Sequence, residues 1–327
     1  MSSSEASISI AHLVQQLAKM SAQREQNELE HSLLELISVL LPDHRIRFYS
    51  LRGNDQELQV HLLHRLDKVD GYRKASTGWQ PPDELMRQAI LRSDDDPTPW
   101  HLDGQTWQVI RQRNRRMALL LLEGQPLDEQ EQGFLAAIVL IHENYLRLLY
   151  DAERDMLTGL LNRRTFDNRL YELLSMPDSG YSLALMDIDH FKQINDRYGH
   201  IVGDEVLLRI SQLMTSTLGQ KARLYRYGGE EFAAIISPRT SDVGELLELL
   251  KQTIAETVFP QVGQVTLSIG HVRIERQPLP ANVVEQADKA LYFAKEHGRN
   301  LVADYASLQQ QGLAKPDSWP QGDIELF

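Results

Sequence analysis

Four carboxylates and a pair of glycines in the second half of the chain have the types and spacing for metal-assisted chemistry. Gly228-Gly229-Glu230-Glu231 lies between Arg223-Leu224-Tyr225 and Ala233-Ala234-Ile235-Ile236. Both flanks are rich in the aromatic and branched residues that suit strands, so the glycines read as a tight hairpin turn. Successive strand residues face opposite ways, so Glu230 and Glu231 share one pocket only if the turn loosens that alternation. Taken alone, this stretch is equally a solvated hairpin tip. A second stretch, Ser182-Leu183-Ala184-Leu185-Met186-Asp187-Ile188-Asp189, is an apolar run ending in two aspartates at alternate positions. It reads as a buried strand with Asp187 and Asp189 at its C-terminal end. Carboxylates there, joined by a Glu from a neighbouring hairpin, make an oxygen-only site. Such a site suits Mg²⁺, which is held by one or two carboxylates plus substrate phosphates and needs no all-protein cage.

These groups need a scaffold, and the pattern supplies one. Helices are predicted over 163–174, 191–198, 203–218, 242–258 and 281–297. Strands are predicted over 181–187, around the hairpin, over 265–274 and over 301–305. The core order is βαββαβ with additions, a ferredoxin-like α+β sheet with helices packed on it. The helix beginning at Phe191, directly after the carboxylates, would offer free N–H groups to phosphate oxygens.

The hairpin, read with its surroundings, resembles the signature of GGDEF-family diguanylate cyclases. Asp155-Met156-Leu157-Thr158-Gly159-Leu160-Leu161-Asn162-Arg163-Arg164 resembles that family's opening motif. Asp187-Ile188-Asp189-His190-Phe191-Lys192-Gln193-Ile194-Asn195-Asp196-Arg197-Tyr198-Gly199-His200, continuing through Gly203-Asp204, resembles its metal-and-substrate segment. Ala290-Leu291-Tyr292-Phe293-Ala294-Lys295-Glu296-His297-Gly298-Arg299-Asn300 resembles its closing motif. The resemblance implies a palm-like domain over 155–307 that condenses two GTP into cyclic di-GMP, releasing two pyrophosphates. It implies Mg²⁺, with Mn²⁺ as a substitute, held by Asp187, the Ile188 carbonyl, Glu230 and Glu231. It makes Glu230 a base for the 3′-hydroxyl and Lys192 a stabiliser of phosphate charge, with Phe191 lending a backbone N–H. Asn195 and Asp204, with His200 close by, would read guanine. Lys295 and Arg299 would hold the terminal phosphates. Asp189 is left open, as a support of the metal shell or a cap of the following helix. Asp155 and Arg163 are expected in structural roles.

One departure stands out. The family's product-inhibition motif is Arg-x-x-Asp, five residues before the glycines. Those positions here read Gly219-Gln220-Lys221-Ala222. Feedback through that site is therefore not expected. Two GTP must face each other, so the resemblance also implies a homodimer. Two other readings stand beside the cyclase: a degenerate nucleotide-binding module, and an enzyme making a different cyclic nucleotide. The hairpin carboxylates weigh against the first and Asp204 against the second.

The N-terminal half reads as a sensor or dimerisation module, 1–126. A helix is predicted over 8–41, strands over 45–51 and 58–63, and a helix over 82–91. A hairpin over 106–111 and 117–123 follows, with Arg113-Asn114-Arg115-Arg116 as its connection. This order is that of a GAF-like α/β domain. His61, His64 and His101 read as surface or strand-face residues rather than ligands. Trp79, Trp100 and Trp107 read as packing, and Arg111, Arg113, Arg115 and Arg116 as a solvated tip. A long helix over 127–156 places Phe134, Ile138, Ile141, Tyr145, Leu148 and Ala152 at heptad spacing, as a linker (127–154) between the domains. Residues 308–327 read as a polar tail.

The chain has 327 residues, which suggests two domains. Net charge is −12, from 34 basic and 46 acidic residues, which argues against non-specific binding to nucleic acid or anionic membranes. There is no cysteine, hence no disulfide and no thiolate chemistry. No run has the length of a transmembrane span and no signal-peptide pattern opens the sequence, so a cytoplasmic location is expected. The N-terminal signal or partner is not legible.

Overall fold

A computed structural model describes residues 10–23, 26–67, 71–75, 77–112, 115–176, 180–275 and 277–314. The chain divides into two compact units, Met1–Ala152 and Glu153–Phe327.

The first unit opens with α1 (Ile10–Ser21) and α2 (Gln26–Leu40), then β1 (Arg45–Arg52), β2 (Gln59–Asp67) and β3 (Gly71–Lys74). It continues with α3 (Glu84–Arg92), β4 (Trp100–Leu102), β5 (Gln105–Gln112), β6 (Arg115–Glu123) and α4 (Glu129–Ala152). The single helix expected over 8–41 is two helices. Lys19 Nζ meets Glu35 Oε2 at 2.6 Å and Gln23 Nε2 donates to Ser32 Oγ at 3.2 Å, contacts that need α1 to fold back on α2. The fold-back buries Met20 with Leu29 and Leu33. Residues 8, 9, 24 and 25 lie outside the described residues.

The strands form one antiparallel sheet in the order β3-β2-β1-β6-β5-β4. Strand alternation gives it two buried faces. Ile46, Phe48, Ile110, Leu120 and Leu122 join the α1, α2 and α4 core. Tyr49, Leu51, Val60, Trp107, Leu119 and Leu121 pack with α3. The helix expected over 127–156 ends at Ala152 and belongs to this unit, burying Leu135, Ile138, Val139, His142 and Leu146. Of the expected heptad seam, Ile138 is consumed by the core, whereas Phe134 and Leu148 stay exposed.

The three histidines are dispersed. His64 is buried between Glu30 (3.3 Å) and the Tyr72 hydroxyl (2.8 Å), His101 bonds Thr106 Oγ1 (2.8 Å), and His61 packs on the Trp79 ring. Trp107 is core, while Arg52 covers Trp79 and Arg92 covers Trp100. Asp94 answers the basic cluster through Arg111 (2.5 Å) and Arg116 (2.8 Å), and Asp55 also takes Arg116 (2.6 Å). Arg113 lies outside the described residues.

His142 is 0% exposed, and among the described residues neither of its ring nitrogens has a hydrogen-bond partner. Burial pulls its pKa from 6.5 down to about 4, so it is neutral in the fold. The unfolded chain takes up this proton below its pKa of 6.5 and the folded chain does not until about 4. Stability is therefore intact above 6.5 and falls between these values by about 1.4 kcal/mol per pH unit. Three of the four tryptophans lie in this unit, so urea titrations followed by fluorescence at pH 7 and pH 5 report on it. His142→Leu is expected to flatten the loss; an equal loss in that variant would remove the assignment.

The second unit begins with β7 (Leu161–Asn162), α5 (Arg163–Leu174), β8 (Ser182–Ile188), α6 (Phe191–Tyr198) and α7 (His200–Leu218). A short 3₁₀ turn, Gly219–Lys221, leads to β9 (Ala222–Arg226) and β10 (Glu231–Ile236). Then come α8 (Val243–Glu256), β11 (Val258–Phe259), β12 (Gly263–Gln264), β13 (Leu267–Arg273), α9 (Pro280–Glu296), β14 (Val302–Asp304) and α10 (Tyr305–Gln310). The main sheet runs β14-β13-β8-β10-β9-β7. Its inner four strands, numbered by chain order, are arranged 4-1-3-2, the ferredoxin-like topology expected from the element order.

Both faces of this sheet are covered, which is why β8 and β10 read as continuous apolar runs. Ala184, Met186, Ile188, Phe232, Ala234 and Ile236 pack against α6, α7 and α8. Leu183, Leu185, Ala233 and Ile235 pack against α5, α9 and α10. At Gly270 in β13 an added Cβ would stand 2.1 Å from the Leu291 nitrogen, so glycine alone lets α9 lie this close. The expected tail from 308 begins inside α10 instead. Leu308 and Tyr305 are buried in the α9 core, and Asp304 caps the helix by accepting from the Ser307 N–H. Residues 315–327 of that tail lie outside the described residues.

Candidate active site

Strand β8 delivers Asp187 to the end of the sheet, on the face that α9 covers. Glu231 pairs with Asp187 across the β8–β10 ladder, so the two side chains share that face. Glu230 stands in the turn just before β10, half-buried, and its carbonyl accepts weakly from the Ile188 N–H at 3.4 Å. Lys295, in the last turn of α9, places Nζ 2.8 Å from Asp187 Oδ2. Asp187 is buried, and that burial raises its pKa. Lys295 and Arg299 oppose the rise and Asp189 adds to it. Glu230 is also raised, by burial first and then by the Asp187 charge. Asp187, Glu230, Lys295 and Arg299 therefore belong to one electrostatic cluster.

The hairpin turn is tied down. The Tyr227 and Gly228 N–H groups both donate to the Glu231 carbonyl, at 2.8 and 3.1 Å. A Cβ at Gly228 would meet Glu231 Oε2 at 2.4 Å, so glycine leaves room for that carboxylate. Arg226 clamps the turn from below. Its Nη2 donates to the Gly229 carbonyl (2.9 Å), and its Nη1 to both Asp155 oxygens (3.0 and 3.1 Å). Asp155 also accepts from the Thr158 N–H and hydroxyl, which closes the turn over 155–158. Arg163 lies over the Tyr227 ring at 4.5 Å. Asp155 and Arg163 thus sit in structural positions, as expected, and Arg226 is a positioning residue that sequence reading missed. Its signal was its place two residues before the glycines. Arg226→Met is expected to lower kcat about 10- to 100-fold, the scale of a misplaced reacting group. Some stability should be lost with the pair, and Asp155→Asn should add little on top. Steady-state kinetics of the two variants and their double check this; additive losses would break the link.

Asp189 does not cap the following helix. It is 5% exposed, and protein donors occupy both oxygens. Ser268 Oγ donates to Oδ1 (2.6 Å); Thr266 Oγ1 (2.7 Å) and the Asn300 N–H (3.0 Å) donate to Oδ2. The cap position of α6 is His190, at φ +60°, and its side chain makes no cap bond. Asp189 pins the strand end to β13 and to the Arg299-Asn300 turn.

The remaining expected residues lie on α6 and α7. Phe191 is buried in the core as the first residue of α6, and Lys192 follows it, exposed. Asn195 is half-buried, and His200 and Asp204 are exposed on α7. A Cβ at Gly203 would come 2.0 Å from Asn195 Oδ1, so glycine lets α7 pack on that side chain just before Asp204.

Among the described residues, no three or more His, Cys, Asp or Glu side chains converge as a metal cage. Asp187, buried, and Glu230, half-buried, are instead two mutually repelling carboxylates with an ammonium beside them. That donor set fits a hard divalent cation that completes its shell from water and phosphate.

Residues 152–301 match the family model described as "Diguanylate cyclase, GGDEF domain". The second unit is a GGDEF domain. The chain is 35% identical over 184 residues to diguanylate cyclase VdcA of Vibrio cholerae, covering 54% of each protein. It is 39% identical over 152 residues to the probable diguanylate cyclase DgcI of Escherichia coli, covering 46% of this chain and 32% of the relative. The chain thus spans about half or less of these curated relatives. The coiled coil and GGDEF domain of DgcB from Caulobacter crescentus, crystallised with c-di-GMP, matches with a TM-score of 0.50 at 29% identity. That match covers 55% of this chain and all of the other. The hairpin of this GGDEF domain reads Gly-Gly-Glu-Glu-Phe, with both carboxylates in place.

Proposed function

We propose that this chain is a diguanylate cyclase that condenses two GTP into cyclic di-GMP and releases two pyrophosphates. The observation that carries this reading is the convergence of Asp187, Glu230 and Lys295 at the end of β8, within a GGDEF domain. Each half-reaction forms a bond from a ribose 3′-oxygen to an α-phosphorus and breaks the bond to the β-phosphate. Glu230, raised by burial, is suited to accept the 3′-hydroxyl proton. A bound divalent cation, Mg²⁺ with Mn²⁺ as substitute, would neutralise phosphate charge; Asp187, the Ile188 carbonyl, Glu230 and Glu231 would hold it. The first-turn N–H groups of α6 at Phe191 and Lys192, with the Lys192 ammonium, serve the phosphates. Lys295 and Arg299 hold their terminal oxygens. Asn195 and Asp204, with His200 nearby, read the guanine edge.

One domain holds one GTP, so the active species is a homodimer with two-fold symmetry. The first unit, GAF-like in its element order, regulates the pair. Among the described residues no helix is long and apolar enough to cross a membrane. A nucleotide substrate places the reaction in the cytoplasm.

Purified protein incubated with GTP and Mg²⁺, its products separated by chromatography and mass, tests the function. Cyclic di-GMP is expected; bound GTP with no product, both from the full chain and from its catalytic half fused to a constitutive parallel coiled coil, would mark a nucleotide-binding module instead. A second outcome follows from Gly219-Gln220-Lys221-Ala222, which carries neither an arginine nor an aspartate. Added cyclic di-GMP should not slow progress curves through this segment, so wild type and a variant altered there should respond alike. Inhibition abolished by altering this segment would overturn that expectation.

A further inference from the structure

Lys295 meets a carboxylate assigned above to the metal, although its own assignment is to phosphate. Its Nζ lies 2.8 Å from Asp187 Oδ2; the Asp187 side chain is 9% exposed and that of Lys295 33%. Asp189 and Glu230 crowd Asp187 with further negative charge, and Arg299 adds a second positive one. A buried carboxylate without a partner is costly, so the ammonium stabilises the strand end as it stands. The same ammonium opposes a divalent cation at Asp187 and Glu230, because like charges a few ångströms apart repel strongly in a partly buried site. Lysine has a long flexible stem, and Lys295 reaches from the last turn of α9, so it can leave without backbone rearrangement.

We propose that Lys295 is an exchangeable counter-ion: it holds Asp187 while no cation is bound, and yields Asp187 when a divalent cation arrives with a triphosphate, whose oxygens then receive the ammonium. This rests on the metal- and GTP-binding reading given above. In consequence the metal alone binds weakly, and metal and triphosphate load together, since each removes an obstacle to the other.

The test uses Mn²⁺ alone with the full chain, free aqueous Mn²⁺ being followed by electron paramagnetic resonance. Lys295→Met and Lys295→Gln are expected to tighten Mn²⁺ binding about fivefold or more, the lower range of coupling between linked sites. Lys295→Arg, which keeps the charge, should bind as wild type does, and Arg299→Met should tighten binding less than Lys295→Met. Asp187→Asn, alone or with Lys295→Met, should abolish binding. Unchanged or weaker Mn²⁺ binding in both neutral Lys295 variants, with binding still dependent on Asp187, overturns the counter-ion role and leaves the metal site standing. Equal tightening by Arg299→Met also overturns it, reducing the effect to general charge. Binding indifferent to Asp187→Asn removes the metal site itself and the inference with it.

Discussion

Glu230→Gln is expected to lower cyclic di-GMP formation by about 10³-fold, within the range ascribed to a positioned general base, while the protein stays folded. Glutamine keeps the side-chain shape and the Glu230 backbone carbonyl that faces Ile188. It removes the charge that would bind metal and the oxygen that would take the proton. Two raised carboxylates stand together here, so losing one charge should relieve repulsion rather than unfold the domain. Initial rates at saturating GTP, with a urea midpoint unchanged or slightly higher, check both halves. A rate within tenfold of wild type would show that Glu230 is neither base nor ligand.

Asp189→Ala has its effect on the fold instead. It leaves the Ser268 and Thr266 hydroxyls and the Asn300 N–H without their acceptor. Each was bonded to a buried carboxylate, and stranding such donors costs about 3–5 kcal/mol in total. Asp189→Asn retains an acceptor oxygen and should lose less. Urea unfolding of the two variants measures this, and Mn²⁺ affinity of the folded fraction should stay near wild type. Full stability with lost metal binding would make Asp189 a ligand and reverse the assignment.

The two aspartates of β8 show what sequence reading reaches. Their alternate spacing announced a polar strand end, and the apolar run before them announced burial. Their different fates depend on β13 and the Asn300 turn, 77 to 111 residues away, which no local pattern encodes. Helices α5 and α6 were legible to the residue, over Arg163–Leu174 and Phe191–Tyr198. The edge strands β3 and β4 and the two-residue β7, β11 and β12 were not, because such pieces become strands only through the neighbour they pair with. The break between α1 and α2 was hidden for a similar reason. Their apolar stripes continue across the join, and it is the contacts of Lys19 with Glu35 and of Gln23 with Ser32, with the burial of Met20 against α2, that require a turn there. Arg226 was missed because its role lies in joining Asp155 to the Gly229 carbonyl, and strand alternation says nothing of either.

Strand β8 is hydrogen-bonded on both sides, to β13 and β10, and every one of its residues is buried. Amide protons of such a strand exchange with solvent only through opening of the whole domain, whereas a turn and a helix end open locally. Asp187 is thus carried by a strand expected to exchange slowly. Glu230 rides on a turn held by Arg226, and Lys295 on the last turn of α9. The domain sets one carboxylate as a fixed post and leaves the groups that meet it on parts free to open alone. Adjustment of this site is therefore expected at its periphery, about a fixed Asp187.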